Sequence, residues 1–195
     1  MENEQKYTLR QQCEKAQIDY VEKWAQQCDY AVTLQTWLPS VGCAVKDATQ
    51  RAMLRNMTTA QRIQFISNSF YKLRVKLNRV LTGNGWLRKN ELMPTVFCAI
   101  EGATNDYDFN RTLHIHAAFG NLPKALTREM LEDAIRQIWT ATDAGVDDIV
   151  VKAMYLGNER NWGNYLSKET HIGNFDCIDY TNTQAAQHVL AKIGK

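Results

Sequence analysis

The sequence predicts an α+β fold: one antiparallel sheet with helices packed on one of its faces. Three observations lead there. Four β-rich runs each stop at turn-forming residues. Helix-period apolar stripes separate the first run from the second and the third from the fourth. Between the second and third runs there is only a loop rich in Gly, Asn and Asp, as in a hairpin. The order β-α-β-β-α-β is the split βαβ, or ferredoxin-like, arrangement, with the third and first strands at its centre.

Each element has a local reason. Residues 5–28 are polar, with Ile18, Val21, Ala25 and Cys28 at helical spacing, which predicts an amphipathic helix. Residues 30–37 (Tyr-Ala-Val-Thr-Leu-Gln-Thr-Trp) are β-branched and aromatic and stop before Pro39, giving the first strand. A short helix is expected near 47–56. Thr58 and Gln61 form a capping box. It opens a helix whose stripe is Ile66, Phe70, Leu73, Leu77 and Leu81, ended by Gly83-Asn84-Gly85. Residues 95–101 read as the second strand, 102–110 as the hairpin tip and 111–119 as the third strand. Thr127 caps a helix over 128–142 with Met130, Leu131, Ile135 and Ile138 on its apolar face, closed by Gly145. Residues 148–156 read as the fourth strand, and a short helix follows near 161–169. The tail from 172 is expected to hold a small strand and a last helix near 183–193. The whole chain, 1–195, reads as one domain with its core over about 30–170.

Composition narrows the class. The chain has 195 residues, 45% hydrophobic, enough for a sizeable core. A net charge of +2 says little about partners. The five cysteines are an odd number without a Cys-x-x-Cys pair, which argues against a disulfide framework or a zinc knuckle. No apolar run of about 18 residues is present, and Met-Glu-Asn-Glu-Gln-Lys does not resemble a signal peptide. A cytoplasmic protein without a membrane partner is expected. There is no Gly-x4-Gly-Lys-Ser/Thr phosphate loop, so no helicase motor is fused here.

The third strand carries the first chemical signal. Alternation puts Leu113, Ile115, Ala117 and Phe119 on one face and Thr112, His114, His116 and Ala118 on the other. The apolar set should pack on the helices. The other set places two imidazoles side by side on an open face, at a spacing suited to one metal ion. On the second strand Glu101 shares a face with Phe97 and Ala99 and would complete a two-imidazole, one-carboxylate site. Asp106 and Asp108 in the hairpin tip are alternative third ligands. The second signal is Tyr165 and Lys168, one helical turn apart. A phenol is a poor nucleophile unless a nearby cation assists it. Either signal alone is common in strands or on helix surfaces; the two together, in this order, carry the weight.

In that combination the chain resembles the HUH endonuclease family of rolling-circle replication initiators and relaxases. The strand Ala31-Val32-Thr33-Leu34-Gln35-Thr36 is similar to the family's apolar-Thr-Leu-Thr element, His114-Ile115-His116 to its His-apolar-His strand, and Tyr165-Leu166-Ser167-Lys168 to its Tyr-x-x-Lys helix. The late tyrosine matches the single-tyrosine initiator branch. Gln35 departs from the usual Thr, and no second tyrosine accompanies Tyr165. The resemblance implies an active site on the sheet face opposite the helices. It implies a divalent ion, Mg2+ or Mn2+, on His114, His116 and Glu101, with Tyr165 as nucleophile and Lys168 as its helper. The implied substrate is single-stranded DNA at a replication origin, in a hairpin or otherwise, with a host helicase as partner. A transposase of the same family, a water-using metal hydrolase and a non-catalytic module for single-stranded nucleic acid are the alternatives. No role is assigned to His171.

Residues 62–89 contain Arg62, Lys72, Arg74, Lys76, Arg79, Arg88 and Lys89 and no acid. With the apolar stripe on the sheet, these bases would point outward. Arg74, Lys76, Arg79 and Arg88 are then expected to line a phosphate track, the alternative being a solvated helix face. Trp37, Trp86 and Trp162 are candidates for base stacking or for the core.

Overall fold

The computed structural model describes residues 8–39, 47–102, 112–155, 157, 162 and 177–194. Helix α1 spans Leu9–Ala25, strand β1 Tyr30–Pro39, α2 Ala48–Arg55 and α3 Thr59–Thr82. Strands β2 (Thr95–Glu101) and β3 (Thr112–Gly120) follow, then α4 (Arg128–Trp139), β4 (Gly145–Ala153) and α5 (Gln187–Ile193). The sheet order is β2-β3-β1-β4, every pair antiparallel, so β3 and β1 are central as expected.

Local chemistry explains the main elements. Thr58 and Gln61 make the reciprocal capping box of α3, and Gly83 ends that helix at φ 61. Ile66, Phe70, Leu73 and Leu77 are buried against Leu34, Ile115, Ala117 and Leu131 in the main core. Thr127 caps α4 through the amide of Met130. Met130 itself is 54% exposed, so the buried face of α4 is Leu131, Ile135, Ile138 and Trp139. Helix α4 ends at Trp139, and β4 begins at Gly145. The boundary lies there because Gly145 pairs with Thr36, and a side chain at that position would strike the Trp139 carbonyl.

The second face of the sheet is not open throughout. Phe97, Ala99 and Ala118 are apolar and need cover. Val21 and Trp24 of α1 supply it, together with Cys177, Ile178, Ala186, Val189 and Ile193. The β2–β3 half of this face is therefore roofed. Its β1–β4 half is less so: Val150 is 43% exposed, and Lys152 is exposed as well.

Among the described residues of the C-terminal tail, where a small strand is expected, there are two isolated bridges, Val96 with Gln184 and Ala99 with Ile178. They shield the outer edge of β2, which would otherwise present unpaired amides. Asn182 anchors this segment. It is fully buried, and its Nδ2 donates to the Ser67 carbonyl (2.8 Å), the Ser67 hydroxyl (3.1 Å) and Asp179 Oδ2 (2.6 Å). Replacing Asn182 with Ala should lower unfolding stability by about 1–3 kcal/mol, read as a shifted urea midpoint. An unchanged midpoint would mean that the anchor is dispensable.

Candidate metal centre

Register decides which side chains meet. Three rows cross the second face: Glu101, His114 and Gln35; then Ala99, His116, Thr33 and Val150; then Phe97, Ala118, Ala31 and Lys152. Neighbouring strands lie about 4.8 Å apart, so residues in a row touch. The polar groups gather in one corner of the face, apart from Lys152 at its far edge.

The corner is tight. One Glu101 carboxylate oxygen lies 3.5 Å from His114 Nε2 and 3.3 Å from His116 Nε2. The two imidazoles stand 4.8 Å apart, nearly perpendicular. Glu101 is fully buried, His116 is 4% exposed and His114 half-buried. Burying a carboxylate costs several kcal/mol unless a proton or cation compensates it.

The other ring nitrogens say what the first ones offer. His114 Nδ1 lies 3.1 Å from the Thr112 carbonyl, which can only accept. The proton of a neutral His114 therefore sits on Nδ1, and its Nε2 presents a lone pair toward Glu101. His116 Nδ1 lies 3.0 Å from the Thr33 hydroxyl, a partner that can accept from the ring or donate to it. With the Thr33 hydroxyl accepting, His116 Nε2 presents a lone pair as His114 Nε2 does, and a cation between the two nitrogens and the Glu101 oxygen would offset their repulsion. At metal–ligand bonds of about 2.1 Å, ligands are separated by about 3.0 Å at right angles and about 3.4 Å at tetrahedral angles. The Glu101 oxygen lies 3.3 and 3.5 Å from the two Nε2 atoms, close to the tetrahedral separation, and one donor atom of each residue lies within 4.8 Å of the others. The donor set fits a divalent cation, and three ligands leave coordination positions for oxygen atoms of a substrate.

The expected ligands His114, His116 and Glu101 are thus brought together. Asp106, Asp108, Tyr165, Lys168 and His171 lie outside the described residues. The bases of α3 are elsewhere: α3 packs on the opposite face of the sheet from the histidines. Lys76 and Arg79 are exposed on α3, and Arg88 is exposed in the turn that follows it. Arg74 is not an outward base. It is half-buried, donates to Gln184 Oε1 and lies 5.1 Å above the Tyr71 ring. Burial lowers its pKa. Val75 and Arg74 follow the buried Leu73 on the helix, and the C-terminal segment has closed over that side. Trp37 belongs to the main core, where its Nε1 donates to the Asp143 carbonyl. Trp162 packs edge-on against Phe97, on the histidine face.

Two residues were missed in the sequence. Thr33 stands at the centre of its motif but reaches His116 only through the β1–β3 register. Lys152 follows from alternation along β4, once that face is known to be the histidine face. Comparison with protein-family models, curated proteins and solved structures returned no match.

The wild-type protein should bind one Mn2+ ion at this corner, measured by titration calorimetry. Glu101→Gln and His116→Ala should each weaken binding at least 100-fold. Thr33→Val should weaken it roughly 10- to 100-fold by releasing His116. Wild-type affinity in Glu101→Gln would place the ion elsewhere.

Proposed function

We propose that the protein is a metal-dependent nickase and ligase of single-stranded DNA that works through Tyr165 and initiates rolling-circle replication. The observation that carries this reading is the convergence of Glu101, His114 and His116 on a single point. Its sequence support is the later Tyr165-x-x-Lys168 pair in the order of the HUH endonuclease family.

A divalent ion, Mg2+ or Mn2+, would supply Lewis-acid neutralisation of a non-bridging phosphate oxygen at these three ligands. The remaining roles belong to the chain. His114 and His116 face their Nε2 atoms inward because Thr112 and Thr33 hold the Nδ1 atoms. The roof over β2 and β3 keeps water from Glu101. Tyr165 attacks phosphorus through its phenol oxygen. The bond to the 3′-oxygen breaks, that oxygen leaves as a 3′-hydroxyl carrying a proton, and a 5′-phosphotyrosine ester remains on the protein. One ester replaces another without water, so the strand can be rejoined. Lys168 offsets the charge of the phenolate.

The described chain brings Trp162 to the histidine face, and Cys177 returns there. Tyr165 follows Trp162 by three positions, a reach of at most about 11 Å between the two Cα atoms. This favours the covalent reading over a binding module, for which the buried carboxylate and paired imidazoles have no use.

Incubating the protein with labelled single strands and Mn2+ should give a nicked product and a covalent protein–DNA band on a denaturing gel. Tyr165→Phe should lose both, by at least 1000-fold, while still binding Mn2+. His114→Ala should lose both together with the metal. Continued cutting by Tyr165→Phe without an adduct would make water the nucleophile and overturn the role given to Tyr165.

A further inference from the structure

Beside the metal corner, the β1–β4 half of the histidine face holds a cleft of about 380 Å³. Its lining includes Ala31, Thr33, His116, Val150, Lys152 and Trp162. The row crossing Lys152 has an alanine at Ala31, on the cleft's lining, where a larger side chain would fill the space. Trp162 forms one wall, held by its edge-on contact with Phe97, 5.9 Å between centroids. Lys152 stands exposed at the outer rim, and His116 and Thr33 at the inner end.

We propose that this cleft seats one nucleotide of the single strand adjoining the cleaved phosphate, with its base against Trp162 and a neighbouring phosphate on Lys152. The proposal rests on the nickase reading and adds where the strand runs. Three features point to this occupant. The cleft has the size of the smaller ligand pockets, which begin near 300 Å³. A sheet surface of Ala31, Thr33 and Val150 beside an indole suits a planar ring, since aromatic stacking holds unpaired bases without selecting among them. Lys152 lies two strand spacings from His116, about 9.6 Å across the sheet, and one row further along. It is too far to serve the phosphate at the metal corner and well placed for the next one. The exposed bases of α3, by contrast, are separated from the histidines by the thickness of the sheet.

The test is anisotropy of a fluorescein-labelled oligothymidylate 12-mer, without metal, over roughly 50–200 mM salt. Lys152→Ala should weaken binding 3- to 10-fold at the low end. It should also flatten the log–log salt slope by about 0.7, the value for one phosphate contact on a single strand. Trp162→Leu should weaken binding roughly 5- to 100-fold, and Trp162→Phe should restore most of it. Ala31→Phe should fill the cleft with a similar loss. Lys76→Ala on α3 should leave the slope unchanged. Thermal melting checks the fold of each variant; if Trp162→Leu fails to fold, Lys152→Ala and Ala31→Phe decide.

Wild-type affinity and slope in those two variants, or a slope change in Lys76→Ala instead, would overturn the proposal. So would a wild-type protein that does not bind the 12-mer. The nickase reading fails separately, by the absence of a Tyr165-dependent adduct, and the cleft variants would still report binding in that event.

Discussion

The β2–β3 register is the constraint on which the rest of the site depends. It sets Glu101 opposite His114 and Ala99 opposite His116. Because side chains alternate along a strand, a slip of one residue would send Glu101 into the apolar core and Ile100 to the imidazoles. The apolar sequence excludes every odd slip. Val96, Cys98 and Ile100 must face the helices with Leu113, Ile115 and Ala117, and a shift by one residue would turn them away. The metal corner is thus held by hydrophobic burial on the reverse side of the sheet.

The roof over β2 and β3 gives the corner its electrostatic character. With α1, the C-terminal segment and α5 in place, Glu101 has no contact with solvent. A charge held in such surroundings interacts more strongly with its neighbours than it would in water. The open β1–β4 half gives access without exposing the carboxylate. A sheet roofed on one half and bare on the other separates a dry ligand set from a wet approach, by which a ligand can enter from outside.

Much of this was legible in the sequence because it depended on short periods. The strands, the α3 stripe and its capping box follow from local spacing, and so does the pairing of His114 with His116. Glu101 was legible as well, since it shares parity with Phe97 and Ala99 on a neighbouring strand. The features that were not legible depend on distant contacts. Arg74 reads as an outward base until Gln184, 110 residues away, is found beside it. The roof joins an N-terminal helix to a C-terminal segment, and nothing in either sequence names its partner. Thr33 needs the cross-strand pair with His116, 83 residues on, before its hydroxyl has a purpose. Met130 precedes the buried Leu131 by one residue, about 100° round the helix, and lies just beyond the edge of the buried face.

The central claim is that one cation bridges Glu101, His114 and His116. Anomalous diffraction from crystals grown with Mn2+ tests it most directly. The account predicts a single strong peak within roughly 2.0–2.3 Å of both Nε2 atoms and a Glu101 oxygen. A corner without a peak, with an imidazole proton shared directly with the carboxylate, would contradict it.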